Sequence, residues 1–214
     1  MRRQLVCTCW RSGSAPELWQ LTVPYGRALT CRMRLFHFSE RGDVEVFEPR
    51  PVAVPSPRPR GREWLNGPLV WAIDAWHQPM YLFPRDCPRV LLWPLASTIP
   101  DDMHVYWRDR SCRMVAHIES AWLETFSRTH LYRYELPADA FDSLEDAGMW
   151  VARSAVRPIG VKLIDDLAAE LRACEVELRV IPSLASLRDL WTTSLHVSGI
   201  RLRNALGWSN KAPT

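Results

Sequence analysis

Short runs in which apolar and polar residues alternate recur from residue 33 onward and predict a series of β-strands. The run at residues 34–39, RLFHFS, is the first of them and is rich in aromatic residues. Residues 1–32 show no sustained helical or strand-like period, so the fold is expected to begin near Met33. Further strands are predicted at residues 70–73, 90–93, 113–119, 131–136, 149–153, 156–161 and 176–181.

Helical periodicity is clearest at residues 163–174. One face of that helix would carry Leu163, Ile164, Leu167, Leu171 and Cys174. Two further helices are predicted at residues 121–128 and 184–195. Many short strands with about three unevenly spaced helices predict an α+β fold, a single domain with a mixed or antiparallel sheet as its core.

The same pattern divides the chain into three parts. Residues 1–32 are predicted to be a disordered N-terminal extension or a mis-called translation start, residues 33–205 a single globular domain, and residues 206–214 a C-terminal tail. Five prolines and four arginines between residues 49 and 62 favour extended backbone. That segment is either a ligand for a proline-recognition domain or an exposed loop, and the loop is favoured because it joins two predicted strands.

Charge is distributed unevenly and argues against a nucleic-acid partner. Residues 1–62 carry eleven Arg and five acidic residues, whereas residues 63–214 carry fourteen Arg, two Lys and nineteen acidic residues. The predicted globular part is therefore mildly acidic, while nucleic-acid-binding domains concentrate basic charge on the fold.

The six cysteines and the hydropathy indicate in which cellular compartment the protein is expected. The cysteines show no paired CxxC spacing, so neither a metal site nor a disulfide framework is predicted. No apolar run approaches the ~20 residues of a membrane span. A cytoplasmic protein with free thiols and no membrane partner is expected.

Candidate chemistry is densest at residues 70–90, VWAIDAWHQPMYLFPRDCPRV, where a predicted buried strand opens into an aromatic, ionisable segment. Asp74 and His77 can form an acid/base pair, because a carboxylate can orient and charge an imidazole. Alternatively, Asp74 caps a short turn. Tyr81 can stack on a planar ring or pack in the core.

Other candidates lie on or beside predicted strands. His37 and Ser39 share one strand face, where they can hydrogen-bond a ribose or sugar hydroxyl. Glu119 and Glu135 end or follow apolar strands, where each is either a cleft residue or a partner of a nearby Arg. The chain has no GxGxxG after a strand, no Walker loop, no GxSxG and no HExxH, so the common nucleotide, hydrolase and zinc-protease motifs are missing.

Four segments together resemble a family of uncharacterised bacterial proteins, a domain of unknown function. They are MRLFHFSE at 33–40, VWAID..H.P.YLFPRDCPRV at 70–90, LYRYELP at 131–137 and SGIRLRNA at 198–205. More distantly, the order of elements is similar to ADP-ribosyltransferase-like domains, which carry a His and a small hydroxyl residue on an early strand. That resemblance implies NAD as cofactor, with His37 and Ser39 at the ribose and Tyr81 on the nicotinamide.

The resemblance also implies a late Glu that holds the ribose 2′-hydroxyl, where positive charge develops as nicotinamide leaves. Lys162 stands at that place, and a lysine cannot stabilise a developing cation. Glu135 or Glu119 would have to substitute as the catalytic carboxylate. The leading hypothesis is thus an ADP-ribosyltransferase-like domain that binds NAD or a related small nucleotide. The alternatives are a non-catalytic ligand-binding or protein-interaction domain on the same scaffold, or an acid/base enzyme that uses Asp74 and His77.

Overall fold

Ten β-strands form two sheets in the part of the chain that the computed structural model describes, residues 33–55, 57–107 and 111–208. The strands are β1 (Leu35–Ser39), β2 (Val70–Asp74), β3 (Arg89–Trp93), β4 (Met114–Glu119), β5 (Leu131–Leu136), β6 (Asp142–Ser143), β7 (Met149–Ala152), β8 (Gly160–Ile164), β9 (Val176–Ile181) and β10 (His196–Ile200). The helices are α1 (Pro100–Tyr106), α2 (Leu123–Arg128) and α3 (Leu167–Ala173), with 3-10 helices at Glu63–Asn66, Gln78–Tyr81, Ser120–Trp122, Ala138–Ala140, Leu184–Thr192 and Leu202–Asn204. The α+β prediction is confirmed.

The larger sheet has the order β6-β7-β2-β1-β5-β8, and its paired strands are all antiparallel. Alternation along its strands separates two apolar clusters. Leu35 and Tyr134 belong to a small cluster on one face, whereas Phe36 and Ile73 join the main core on the other. The sheet is therefore covered by apolar side chains on both sides near its centre.

The smaller sheet has the order β10-β3-β4-β9, in which β4 and β9 run parallel and the other pairs antiparallel. All residues of β3 and β4 are buried, as expected for strands with both faces covered. Register and alternation place Leu92, His117 and Arg179 on one face of this sheet. Trp93 belongs to the opposite face.

The predicted helix at residues 163–174 is wrong at its start. Leu163 and Ile164 belong to β8, whose pairing with β5 overrides a helical period that they satisfy by coincidence. The helix begins only after Asp166, whose carboxylate caps it by accepting a hydrogen bond from the Ala169 N–H at 2.8 Å.

Other predicted elements also differ from the structure. The strand predicted at residues 156–161 is displaced, because Val156 makes only an isolated bridge with Phe47 and β8 begins at Gly160. The last predicted helix, residues 184–195, is a 3-10 helix from Leu184 to Thr192. The sequence pattern did not predict α1, β6 or β10. The predicted extension 1–32 and most of the predicted tail 206–214 lie outside the described residues.

Candidate functional site

The segment between β2 and β3 turns sharply at Asp74 and carries the densest chemistry of the fold. The carboxylate Oδ1 of Asp74 accepts a hydrogen bond from the backbone N–H of His77 at 2.7 Å. Pro79 then lies in the first turn of the following 3-10 helix, where its missing N–H costs nothing. The strand therefore ends in a short capped turn that holds His77 three residues after Asp74.

Asp74 also binds the His77 ring directly, so the capping and acid/base interpretations are compatible. Its Oδ1 and Oδ2 atoms lie 2.9 and 3.0 Å from His77 Nδ1. Burial raises the pKa of the Asp74 carboxyl, but the hydrogen bonds from His77 outweigh burial and hold that pKa below its ordinary value. Asp74 is therefore ionised at neutral pH, and about a fifth of each side chain is exposed.

Gly148 packs directly against the Asp74–His77 pair. Its backbone φ of +70° lies in the left-handed region, and its carbonyl accepts a hydrogen bond from the Asp74 N–H at 2.9 Å. A Cβ at this position would lie 2.2 Å from His77 Nδ1 and 2.6 Å from Asp74 Oδ2. Glycine is thus required both by the backbone conformation and by the approach to the pair.

The turn that delivers Gly148 connects β6 to β7 and is strained. Two of its non-glycine residues, Glu145 and Ala147, have φ values of +53° and +44°. Such backbone is costly for residues with a Cβ and is often found where a site must be held in shape. The turn also carries Asp146, whose charge acts on both His196 and Tyr81.

Aromatic rings surround the imidazole of His77. Trp76 and Trp93 meet it edge to face, with ring centroids 4.5 and 5.4 Å away. The ring of His196 stacks on Trp93 at 4.0 Å. Burial lowers the pKa of His196, so this second imidazole is neutral at neutral pH. Arg113 lies over the face of Trp76, 4.9 Å from the ring centroid.

His37 lies where β1 and β2 separate. The two strands pair at Leu35 and Phe36, after which the His37 Nδ1–H donates to the carbonyl oxygen of Trp71 at 2.8 Å. Burial lowers the pKa of His37, and the charge of Arg85 adds to the effect. The ring is therefore neutral and packs against Phe47, 4.7 Å between centroids.

Ser39 and Tyr81 both have partners inside the fold. The Ser39 Oγ accepts a hydrogen bond from the Arg41 N–H at 3.1 Å. The Tyr81 hydroxyl donates to the sulfur of Met149 at 3.5 Å, and burial raises its pKa despite the nearby charges of Arg89 and Arg201. Among the described residues, no hydrogen bond or ring contact joins His37 to Tyr81. Their role in ligand binding stays a prediction.

The two predicted catalytic carboxylates are held by structural contacts. Glu119 is only 3% exposed, and its carboxylate accepts hydrogen bonds from the N–H groups of Leu184 and Leu206. Glu135 pairs with Arg34 through two hydrogen bonds of 2.9 and 2.8 Å. Each carboxylate has partners within the fold, and these partners account for its position without a substrate. A catalytic role for Glu119 or Glu135 stays a prediction.

Lys162 lies on β8 and forms part of an ion-pair group. Its ammonium lies 3.4 Å from a carboxylate oxygen of Glu170 on α3, and the other oxygen of Glu170 binds Arg133 at 2.8 Å. Arg133 also donates to the side chain of Gln78 at 3.0 Å. The ion pair of Lys162 with Glu170 is thus a structural contact between β8 and α3.

Sequence reasoning found Asp74 and His77 because they lie three residues apart, whereas it missed the residues that enclose them. Gly148, Trp93 and His196 arrive from other elements through long-range pairing. A glycine that follows a polar turn was the one local signal for Gly148, and it is too common to identify a site.

The family relationship agrees with the extent of this fold. The family described as "Family of unknown function (DUF6886)" matches residues 36–205. The chain belongs to this family. No curated protein and no solved structure shows significant similarity to it.

The described residues contain no group of three or more His, Cys, Asp or Glu side chains arranged to hold a metal ion. None of the helices in this part of the chain is long and apolar enough to cross a membrane.

Proposed function

We propose that the protein is an acid/base enzyme in which Asp74 and His77 form the catalytic pair. The observation that carries the proposal is the double contact of the Asp74 carboxylate with His77 Nδ1, at 2.9 and 3.0 Å, beneath a glycine that no other residue can replace without collision. A capped turn alone needs the bond to the His77 backbone and not the two to its ring.

The pair fixes the proton on one nitrogen of the imidazole. Because the Asp74 carboxylate is ionised, it accepts a hydrogen bond and His77 Nδ1 must donate it. The other nitrogen, Nε2, then carries the lone pair and can take a proton from a substrate or water. Asp74 also stabilises the imidazolium that forms.

The rings around His77 indicate the kind of substrate. Trp76 provides aromatic surface beside the base and is 42% exposed, whereas Trp93 is buried behind it. Flat or apolar groups gain contact area on such rings, whereas a highly charged group gains little. We therefore propose a substrate whose reacting bond adjoins an aromatic or apolar group.

Hydrolysis of p-nitrophenyl acetate tests the base without knowledge of the natural substrate. His77 Nε2 takes a proton from the attacking water while the water oxygen bonds to the carbonyl carbon. The ester C–O bond then breaks, p-nitrophenolate and acetic acid leave, and the imidazolium returns its proton to solvent. His77→Ala is expected to lower the rate at least about tenfold and Asp74→Asn about tenfold.

His104→Ala provides the matched control, because His104 is an exposed imidazole on α1. His77→Gln, checked by circular dichroism, distinguishes lost chemistry from lost fold. A folded His77→Gln or His77→Ala variant with the wild-type rate would overturn the proposal.

Nucleotide binding of the ADP-ribosyltransferase-like kind is a second candidate, supported by two arginines. The charge of Arg85 acts on His37 and that of Arg201 acts on Tyr81. Arg201 Nε also donates to the Arg85 carbonyl at 3.3 Å, so the two residues are neighbours. Guanidinium groups suit a diphosphate, and the neutral His37 ring has an acceptor nitrogen for a ribose hydroxyl.

Calorimetric titration of NAD, ADP-ribose and nicotinamide tests this second candidate. We expect NAD and ADP-ribose to bind the wild type and to bind His37→Ala more weakly. Binding without any transfer of ADP-ribose would favour the non-catalytic alternative, since Glu119 and Glu135 are both engaged elsewhere. Failure of all three ligands to bind would reject nucleotide recognition.

A reducing, cytoplasmic location is part of the proposal. Among the described cysteines, Cys87, Cys112 and Cys174, none forms a disulfide. Thiols that stay reduced are typical of cytoplasmic proteins.

A further inference from the structure

The larger sheet ends in an exposed edge strand, β8. Four of its five residues are exposed, and only Ile164 is buried. One side of β8 pairs with β5, whereas no strand or isolated bridge of the described residues pairs with its other side. Backbone N–H and C=O groups along that outer edge can therefore bind a further strand.

One face of this edge is apolar. Val161 and Leu163 point to the same face, because they lie two residues apart on the strand. They are 55% and 49% exposed, and Ile159, just before the strand, is 67% exposed. Ile159 and Val161 also line the same surface notch. A row of exposed apolar side chains along a sheet edge is typical of a site where strands of two chains pair.

The one charged residue of β8 gives this edge little protection. A lysine on an edge strand usually keeps other strands away, because its ammonium must stay in water. The ammonium of Lys162 instead lies 3.4 Å from a carboxylate oxygen of Glu170 on α3. Alternation places Lys162 on the face opposite to Val161 and Leu163, so the apolar row carries no charge of its own.

The opposite edge of the same sheet is much shorter. Strand β6 spans two residues, Asp142–Ser143, and both are polar. Between the two edges of this sheet, β8 is the one long enough to form a ladder of several hydrogen bonds.

Residues 159–163 are complementary to a second copy of themselves. In an antiparallel pair centred on Val161, this residue faces its own counterpart, and Ile159 faces Leu163 of the other copy. Lys162 then faces Gly160, which has no side chain, so no like charges meet directly. The apolar residues of both copies lie together on one face of the joined sheet.

We propose that two copies of the chain associate through β8, in an antiparallel pair centred on Val161 that joins their larger sheets. One short edge buries less surface than the interface of a permanent dimer, so the association is expected to be weak and to depend on concentration. It involves β8 and not the Asp74–His77 pair, and it is independent of catalysis.

Sedimentation velocity of the full chain tests this association between about 1 and about 500 μM. We expect the wild type to be a monomer at the lowest concentration and increasingly a dimer at the highest. Val161→Lys sets two like charges against each other on the two-fold axis and is expected to weaken dimerisation at least about tenfold. Val161→Glu should do the same for the same reason.

A mixture of Val161→Lys and Val161→Glu identifies both the partner and the register. Lysine and glutamate then face each other across the axis, so the mixture is expected to dimerise where neither variant does alone. This rescue requires a second copy that pairs at residue 161.

Val180→Lys provides the matched control, because Val180 is 39% exposed on β9, an edge strand of the smaller sheet. It should leave the association unchanged. Circular dichroism establishes that each variant is folded. Ile159→Lys is a second disruptive variant if Val161→Lys does not fold, since Ile159 lies outside β8 and is 67% exposed.

Three results would overturn the proposal. They are a wild type that stays monomeric up to about 500 μM, a folded Val161→Lys variant that dimerises as the wild type does, and a mixture of the two charged variants that associates no better than either alone. In a monomeric wild type, protection of the β8 amides from hydrogen exchange would show that another segment of the chain occupies this edge instead.

Discussion

Glu119 lies buried at the end of β4, where its carboxylate ties together two distant backbone segments. The N–H groups of Leu184 and Leu206 both donate to it at 3.0 Å. Glu119→Ala is expected to lower the free energy of unfolding by about 3 kcal/mol, because buried donors lose their acceptor. Glu135→Ala should cost less than about 1 kcal/mol, since its partner Arg34 is exposed. Urea denaturation of both variants checks this, and equal losses would contradict it.

His117 makes stability depend on pH. Burial lowers the pKa of His117 in the folded protein from 6.5 to about 4, and the positive charge of Arg179 adds to this shift. A hydrogen bond with the Val90 backbone and the negative charge of Glu177 oppose it. Between these values the unfolded chain binds the extra proton, so stability falls as pH drops below 6.5 and the loss is complete below about 4. The expected loss is about 3 kcal/mol.

Urea denaturation across this pH range compares the wild type with His117→Leu. The variant should lack this part of the acid destabilisation, because leucine binds no proton. Parallel stability curves for the two proteins would show that His117 titrates normally in the fold.

At the scale of elements, the start of α3 is fixed by a capping residue, Asp166. Asp166 caps it through the Ala169 N–H. Asp166→Ala is expected to lower the free energy of unfolding by about 1 kcal/mol. Asp165→Ala, one residue earlier, should change it little. If the helix began at residue 163, the two variants would behave alike, and chemical denaturation distinguishes these outcomes.

The β6–β7 turn is the element that holds the site in shape. Gly148→Ala would place a methyl group 2.2 Å from His77 Nδ1 on left-handed backbone. The expected loss is about 2 kcal/mol or more, together with a fall in esterase rate. Glu145→Ala is the control, because that position already holds a Cβ at φ +53°. A Gly148→Ala protein with wild-type stability would contradict the packing described.

At the scale of the whole molecule, local patterns predicted the strands that form the centre of each sheet. β4 at the centre of the smaller sheet matches a predicted strand because its apolar run is long, and β5 and the edge strand β9 match because their alternation extends over six residues. β10 was missed, since HVSGI is short and partly polar and is held by pairing with β3. Such pairing joins residues about a hundred positions apart, which no local period records.

The sequence likewise predicts one part of the candidate site and not the other. Asp74 and His77 were predictable because a three-residue spacing across a turn brings the side chains together. Their enclosure by Gly148, Trp93 and His196 depends on how β7, β3 and β10 assemble. The proposed link between His37 and Tyr81 required two separate elements to converge, and sequence alone could not establish that.

The protonation state of the His77 ring tests the central claim most directly. Nitrogen-15 NMR of the imidazole reports which ring nitrogen carries the proton. The Asp74 contact predicts the proton on Nδ1 in the wild type and a shift toward Nε2 in Asp74→Ala. A wild-type ring protonated on Nε2, or one unchanged in Asp74→Ala, would contradict the account of Asp74 and His77 as an acid/base pair.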